Sequence, residues 1–181
     1  MPVIPRFSAD RHRYPTVTAA ACENGRMTRL HVPVHLRWGD LDAFQHVNNA
    51  SFVKLLEEAR FRAFWIHEDP AKATPLAVFD AELRVGDEGP FYPLIATQQA
   101  EYLAPIPYQQ EPLDVRIWFG RLGGASAELR YEVWGCPAGE TLFGRASVTV
   151  VLVSPDTGRP VRMPDAMRAA WEPYLEAPDE G

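Results

Sequence analysis

The chain has 181 residues, 46% hydrophobic, 23% charged and 11% aromatic, with a formal net charge of -6. That length suits one domain with short tails, and the composition supplies a core. The acidic balance lacks the basic face that phosphate neutralisation needs, so nucleic acid is not an expected partner.

No apolar run is long enough to span a membrane, and the N-terminus lacks the continuous apolar stretch of a secretion signal. The two cysteines, Cys22 and Cys136, make neither a disulfide framework nor a metal site. A reducing, cytoplasmic setting is therefore expected.

Residues 1–26 show no sustained period and several prolines, which predicts a poorly ordered tail. Met27 is a candidate true start. The tail is set at 1–27, a single domain at 28–176 and a C-terminal tail at 177–181. From Leu30, apolar Val32, Val34, Leu36 and Trp38 alternate with polar Arg29, His31, His35 and Arg37. This predicts a strand with one buried face. Pro33 lacks an N–H and places it near an edge. His31 and His35 have no third ligand in sight, so a solvated face is expected rather than a metal pair.

Asn48 is a good N-cap, and the pattern predicts a helix from about Asn49 to Ile66. Phe52, Leu55, Leu56, Ala59, Ala63 and Ile66 form its apolar stripe, with Ser51, Lys54, Glu58 and Arg62 opposite, on the solvated side. Glu57 falls between Val53, Phe61 and Phe64 on an apolar flank. A carboxylate there needs a partner, such as Arg60, or a function. Residues 67–91 carry turn punctuation and no clear element. Four strand-like runs follow, at about 93–104, 111–122, 125–134 and 140–153, with Gly123-Gly124 as a hairpin signal. A short helix is predicted over about 164–175. The order is strand, long helix, then four strands in a meander, which is an α+β architecture. A five-stranded sheet leaves edges, and a long helix leaves a bare flank. Both favour self-association.

The polar run RWGDLDAFQHVNNASF, residues 37–52, sits directly before the helix. A helix N-terminus offers free N–H groups and partial positive charge, which stabilise a developing oxyanion. A carboxylate beside it acts as nucleophile or general base. Asp42 is seven residues ahead of Asn49, with His46 between them. The combination suggests acyl transfer or hydrolysis. The competing reading is structural: Asp40 or Asp42 stabilises the loop, and Asn48 only caps.

The string Arg37-Trp38-Gly39-Asp40-Leu41-Asp42-Ala43-Phe44-Gln45-His46-Val47-Asn48-Asn49-Ala50 resembles the signature of hotdog-fold thioesterases, and of the 4-hydroxybenzoyl-CoA thioesterase family in particular. Glu57-Glu58-Ala59-Arg60, Glu101 to Pro105, Gly124-Ala125-Ser126 and Thr157 to Pro160 also fit, so the resemblance covers about 28–176. It implies a curved antiparallel sheet of about five strands wrapped around one long central helix. It further implies a homodimer or homotetramer with sites between subunits. Asp42 matches the catalytic aspartate, and Asn49 the residue whose N–H polarises the thioester carbonyl. Glu57 holds the position of a helix carboxylate that serves another branch and ranks second. His46 is a candidate site residue or a loop brace. Ser126, Arg121 and Arg159, with Arg145 and Arg162, are candidates to hold CoA.

The implied activity is acyl-CoA hydrolysis, with no metal and no cofactor beyond the CoA of the substrate. Two rivals stand. One is a hotdog hydratase or dehydratase, disfavoured because its Asp-x-Asn-x-x-His pattern is broken by Phe44. The other is a non-catalytic acyl-CoA binder. Neither the acyl group nor a choice between CoA and carrier-protein thioesters is written in the sequence.

Overall fold

A computed structural model describes residues 17–21, 28–135 and 141–177. Cys22, Met27, Cys136 and most of both tails lie outside the described residues. The elements in chain order are β1 (Thr18–Ala21), β2 (Thr28–Val34), α1 (Asn49–Phe64), β3 (Tyr92–Tyr102), β4 (Leu113–Leu122), β5 (Ser126–Trp134), β6 (Leu142–Val153) and α2 (Asp165–Trp171). The strands form one antiparallel sheet in the order β1-β2-β4-β5-β6-β3. Register shifts in the β3–β6, β4–β5 and β5–β6 pairs are the bulges that let such a sheet curl.

The inner face follows strand alternation. Leu30, Val32 and Val34 of β2, Leu113, Val115, Ile117 and Phe119 of β4, and Leu129, Tyr131 and Val133 of β5 are all buried. They pack on α1 through Phe52, Leu55, Leu56, Ala59, Ala63 and Phe64. This is the hotdog arrangement of a curved sheet around a helix. Arg60 of α1 donates to the Tyr131 hydroxyl at 3.4 Å, a polar tie through this apolar layer. Burial pushes the Tyr131 hydroxyl up from its ordinary value despite the arginine.

Several expectations need correction. The supposed tail contains β1, which pairs Thr18–Ala21 with Thr28–His31. The sheet therefore has six strands. The four later strands are not a simple meander: β4, β5 and β6 follow one another, but β3 crosses to the far edge beside β6. The helix stops at Phe64, and Ile66 is 54% exposed instead of completing the stripe. Its terminus is fixed from outside, since the Phe64 carbonyl accepts from Val78 and Phe79 of the following loop. Residues 67–91 are far from empty: Leu76, Val78, Phe79, Val85 and Phe91 are core.

Pro33 lies past the end of the β1 pairing, where β2 has no outer neighbour, and its carbonyl takes the Arg62 guanidinium. Arg62 thus leaves the solvated side assigned to it. His31 is not simply solvated either. Its Nδ1 lies 3.0 Å from both oxygens of Asp114 on the neighbouring strand. The predicted final helix is α2 followed by a 3-10 turn over Glu172–Tyr174. Trp171 stacks between Phe64 and Phe119 and plugs the C-terminal end of α1. No helix is long and apolar enough to cross a membrane.

Candidate active site

Everything of interest in the polar run converges on the front of α1. Four backbone N–H groups at a helix start lack intrahelical acceptors. The Asn48 side chain accepts from Ser51 at 2.9 Å, and the Asn48 carbonyl takes Phe52 at 2.9 Å. That leaves the N–H groups of Asn49 and Ala50, both exposed residues, as the open donors. Ser51, assigned to the solvated side by its helical position, is buried, because its hydroxyl accepts from Asn48 Nδ2 at 3.1 Å.

The loop ahead is folded back on the cap. Asn48 donates from its backbone to the Asp40 carbonyl at 3.1 Å and from its side chain at 3.3 Å. Asp40 also accepts from the Arg37 N–H at 2.7 Å, so Asp40 is a brace. Asp42 closes the next turn. Its Oδ1 accepts from Phe44 N–H at 2.8 Å and from His46 N–H at 3.4 Å, while its own N–H donates to the His46 carbonyl at 2.9 Å. Gln45 adopts a positive φ of 64° to make that turn, a conformation that a non-glycine residue seldom takes. The Asp42 carboxylate is exposed, and its Oδ2 takes none of these bonds. His46 meets Asp42 through the backbone, and it has a second duty.

That duty is a cleft of about 330 Å³, walled by His46, Val47, Phe52, the 102–106 segment and Phe143. The wall is tied to the loop, since Val47 N–H donates to the Ile106 carbonyl at 2.9 Å. Its floor depends on Gly144 of β6. A Cβ there would sit 2.8 Å from the Glu101 carbonyl and 3.0 Å from the Phe52 ring. The missing side chain lets the first turn of α1 lie flat on the sheet. Among the aromatic residues Phe44, Phe52, Trp65, Phe79 and Trp118, only Phe52 lines this cleft. Tyr102, Ile106 and Phe143 were missed as pocket residues, although Glu101 to Pro105 already stood out as a motif.

The structure does not gather the other candidates here. Glu57 is eight residues on, about 12 Å along the helix axis. Its side chain is 70% exposed, with Arg60 at 3.8 Å. Its apolar flank is open: Phe61 is itself exposed and stacks on Trp65 at 4.7 Å. Ser126 pairs with Val151, seven residues along β6 from Gly144, or about 24 Å. Arg121 and the turn bearing Arg159 and Arg162 share that far end, and all three arginines are exposed. Arg145 lies nearer, on the outer face of the sheet, 3.6 Å from Glu132. Among the described residues no three His, Cys, Asp or Glu side chains converge as a metal site.

Solved structures share this architecture. A candidate thioesterase from Pseudomonas aeruginosa is 27% identical, with 78% of this chain and 95% of that one covered at a TM-score of 0.59. A thioesterase from Thermus thermophilus, solved with coenzyme A and zinc, is also 27% identical, with 78% and 91% covered at 0.56. A candidate thioesterase from Bacillus stearothermophilus shares the fold at a TM-score of 0.64, with 20% identity and 83% and 98% covered. A comparison with curated proteins finds no match. The family model of the thioesterase-like superfamily matches residues 36–171, spanning the polar loop, α1 and the whole β3–β6 sheet through to α2. The chain belongs to that superfamily.

Proposed function

We propose that the protein is an acyl-CoA thioesterase that hydrolyses an acyl-CoA to a carboxylic acid and free CoA. The observation that carries this is the unit at the front of α1. One carboxylate with an unengaged oxygen and two unengaged helix N–H groups are bound into a single hydrogen-bonded loop. The Asn49 N–H donates to the thioester carbonyl and stabilises the oxyanion as it forms. Asp42 either attacks the carbonyl carbon, expelling CoA thiolate and leaving an anhydride for water to open, or takes a proton from the attacking water. Membership of a thioesterase-like superfamily supports hydrolysis, and the Thermus thermophilus relative solved with coenzyme A supports CoA as the carrier.

The proposal includes a homodimer. β3 is an edge strand running from Tyr92 to Tyr102, with Leu94 53% and Ile95 40% exposed. Two copies joined antiparallel along β3 bring the far end of one sheet beside the α1 front of the other. The Arg159 turn, which follows the β6 residue paired with Tyr92, then stands near the partner's cleft and can meet CoA phosphate. Ser126 and Arg121 come from the same end. This resolves their separation within one chain.

Thiol release from a panel of acyl-CoAs tests the reading. Asp42→Asn is expected to lower turnover at least about 10²-fold, the scale of a lost acid–base or nucleophilic group. A second reading, a non-catalytic acyl-CoA binder, draws on the bonds from Phe44 and His46 that give Asp42 a purely structural job. Absence of turnover in wild type, with CoA esters still raising thermal stability, would favour it.

A further inference from the structure

The two sides of the sheet are finished differently. On one side β3 runs for eleven residues, Tyr92 to Tyr102, with no outer neighbour among the described residues. On the other side different devices meet the backbone in turn. β1 pairs with Thr28 to His31 of β2, and Val17 just ahead of it packs on the core. Beyond that pairing Pro33 has no N–H to offer, and its carbonyl takes the Arg62 guanidinium. Past Ile117, where the pairing of β4 with β2 stops, the C-terminal segment takes over. Leu175 bridges Phe119, and the Glu176 N–H donates to the Phe119 carbonyl at 2.8 Å.

β1 covers the stretch that the other devices leave. It is four residues long, against seven in β2, so a stub replaces a full strand as the edge. Very short edge strands are one way in which proteins blunt an edge. Without β1, Thr28 to Val32 would present unpaired N–H and C=O groups, on a strand whose register Leu30 and Val32 already fix through the core. Such a strand is a preformed template for pairing. A chain with one open edge pairs once and closes as a two-fold dimer, whereas a chain with two open edges grows as an open series. We infer that β1 is a stop strand, which occupies the β2 edge so that the sheet pairs through β3 alone, an assignment that rests on the β3-joined dimer proposed above. The partner that a bare β2 edge takes is the β2 edge of another copy of this chain. Residues 18–21 thus act in assembly and not in catalysis.

Sedimentation over a range of concentrations, with circular dichroism and thiol release on each protein, tests this. Wild type is expected to hold a fixed mass as concentration rises, the 20.3 kDa chain paired once. Removal of residues 1–21 should give species larger than the dimer that grow with concentration, at unchanged turnover per chain. Ile95→Lys in that truncated chain should return the mass to a dimer, now joined through β2, and turnover should fall because the β3 pairing is gone. Ala19→Pro with Ala20→Pro should reproduce the truncation in the full chain, since N–H groups alternate along a strand and one of the two faces β2. A truncated chain that stays dimeric with native circular dichroism overturns the inference and leaves the β3 dimer standing. Growth that Ile95→Lys fails to limit also overturns it, because indiscriminate aggregation has no edge. Loss of native circular dichroism in both β1 variants overturns it too, because β1 is then part of the folding core. A monomeric wild type that becomes a dimer on truncation removes the β3 reading and keeps the stop strand, while one that stays monomeric removes both.

Discussion

Asn48 does two things that a generic cap does not. Its Oδ1 caps Ser51, as any good N-cap does, while its backbone and Nδ2 hold the Asp40 carbonyl and so set the position of the turn that presents Asp42. The two roles separate by substitution. Asn48→Ala loses the cap and the Nδ2 bond but keeps the backbone bond to Asp40, at about 1–2 kcal/mol for the cap. In a protein of this size that lowers Tm by about 2–8 °C. Asn48→Ser keeps a capping oxygen but cannot donate two bonds to Asp40. Its Tm is expected within about 2 °C of wild type, with kcat reduced and KM little changed. Scanning calorimetry and steady-state kinetics on the two variants check this; full activity in Asn48→Ser would leave Asn48 a cap and nothing more. The cap was legible in the sequence because its partner is three residues away. The fates of His31 and Arg62 were not. Helical or strand position says which way a side chain sets out, but Asp114 and Pro33 are brought to it by pairings distant in the chain.

At the scale of elements, the strand-like runs for β4, β5 and β6 came close to the observed bounds because each has one buried face, whereas β3 is exposed almost throughout and β1 was missed. What alternation does not encode is neighbour order. Unlike β4, β3 has no buried face, and it takes the far edge. Register then creates groups of its own. It sets His31 of β2 opposite Arg116 of β4, with Asp114 two residues away on the same face. Arg116 Nε donates to Asp114 at 2.9 Å and lies over the Trp134 ring at 4.6 Å. Burial on its own would push the Asp114 carboxyl up. The hydrogen bonds and positive charge of His31 and Arg116 outweigh it and hold the carboxyl below its ordinary value. A depressed carboxyl stabilises the fold above its unfolded pKa, about 3.9, and that contribution is lost as pH falls through the lower folded value. Asp114→Asn should therefore be less stable than wild type at pH 7, and the gap should close below about pH 4. Urea midpoints at the two pH values test it; a gap that persists in acid would mean the pair contributes by packing alone.

For the whole molecule, the open edge at β3 is the feature that asks for company. A long edge strand with apolar side chains in water is a pairing hazard unless it is covered. Self-association is also the expectation that the count of strands and the bare flank of the helix raise in the sequence. The sequence placed the candidate phosphate-binding arginines in one site, however, without revealing that a single chain holds them at the opposite end. Wild type is expected to sediment as a dimer or larger at micromolar concentration. Ile95→Lys puts a charge on the edge and should shift the species toward monomer. Turnover should fall with it, while circular dichroism stays native. A monomeric wild type with full activity would remove the shared-site reading, and with it the role of Arg159.

The outer face of the sheet has a consequence for how this chain can change. Glu132 is only 7% exposed there, and it is held by Arg29 at 2.6 Å, Trp134 Nε1 at 3.0 Å and Arg145 at 3.6 Å, residues drawn from three strands. Removing Arg29 leaves the Glu132 carboxylate in a poorly solvated place with only the exposed Arg145 as counter-charge, whereas removing Arg145 costs less. Exchanging matched members together leaves no orphan charge and costs far less. Homologous chains should thus vary here in sets, charge trading for apolar surface on several strands at once. A chimaera that takes β5 from a relative while keeping β2 and β6 would fold poorly even though every hydrophobic core residue were preserved.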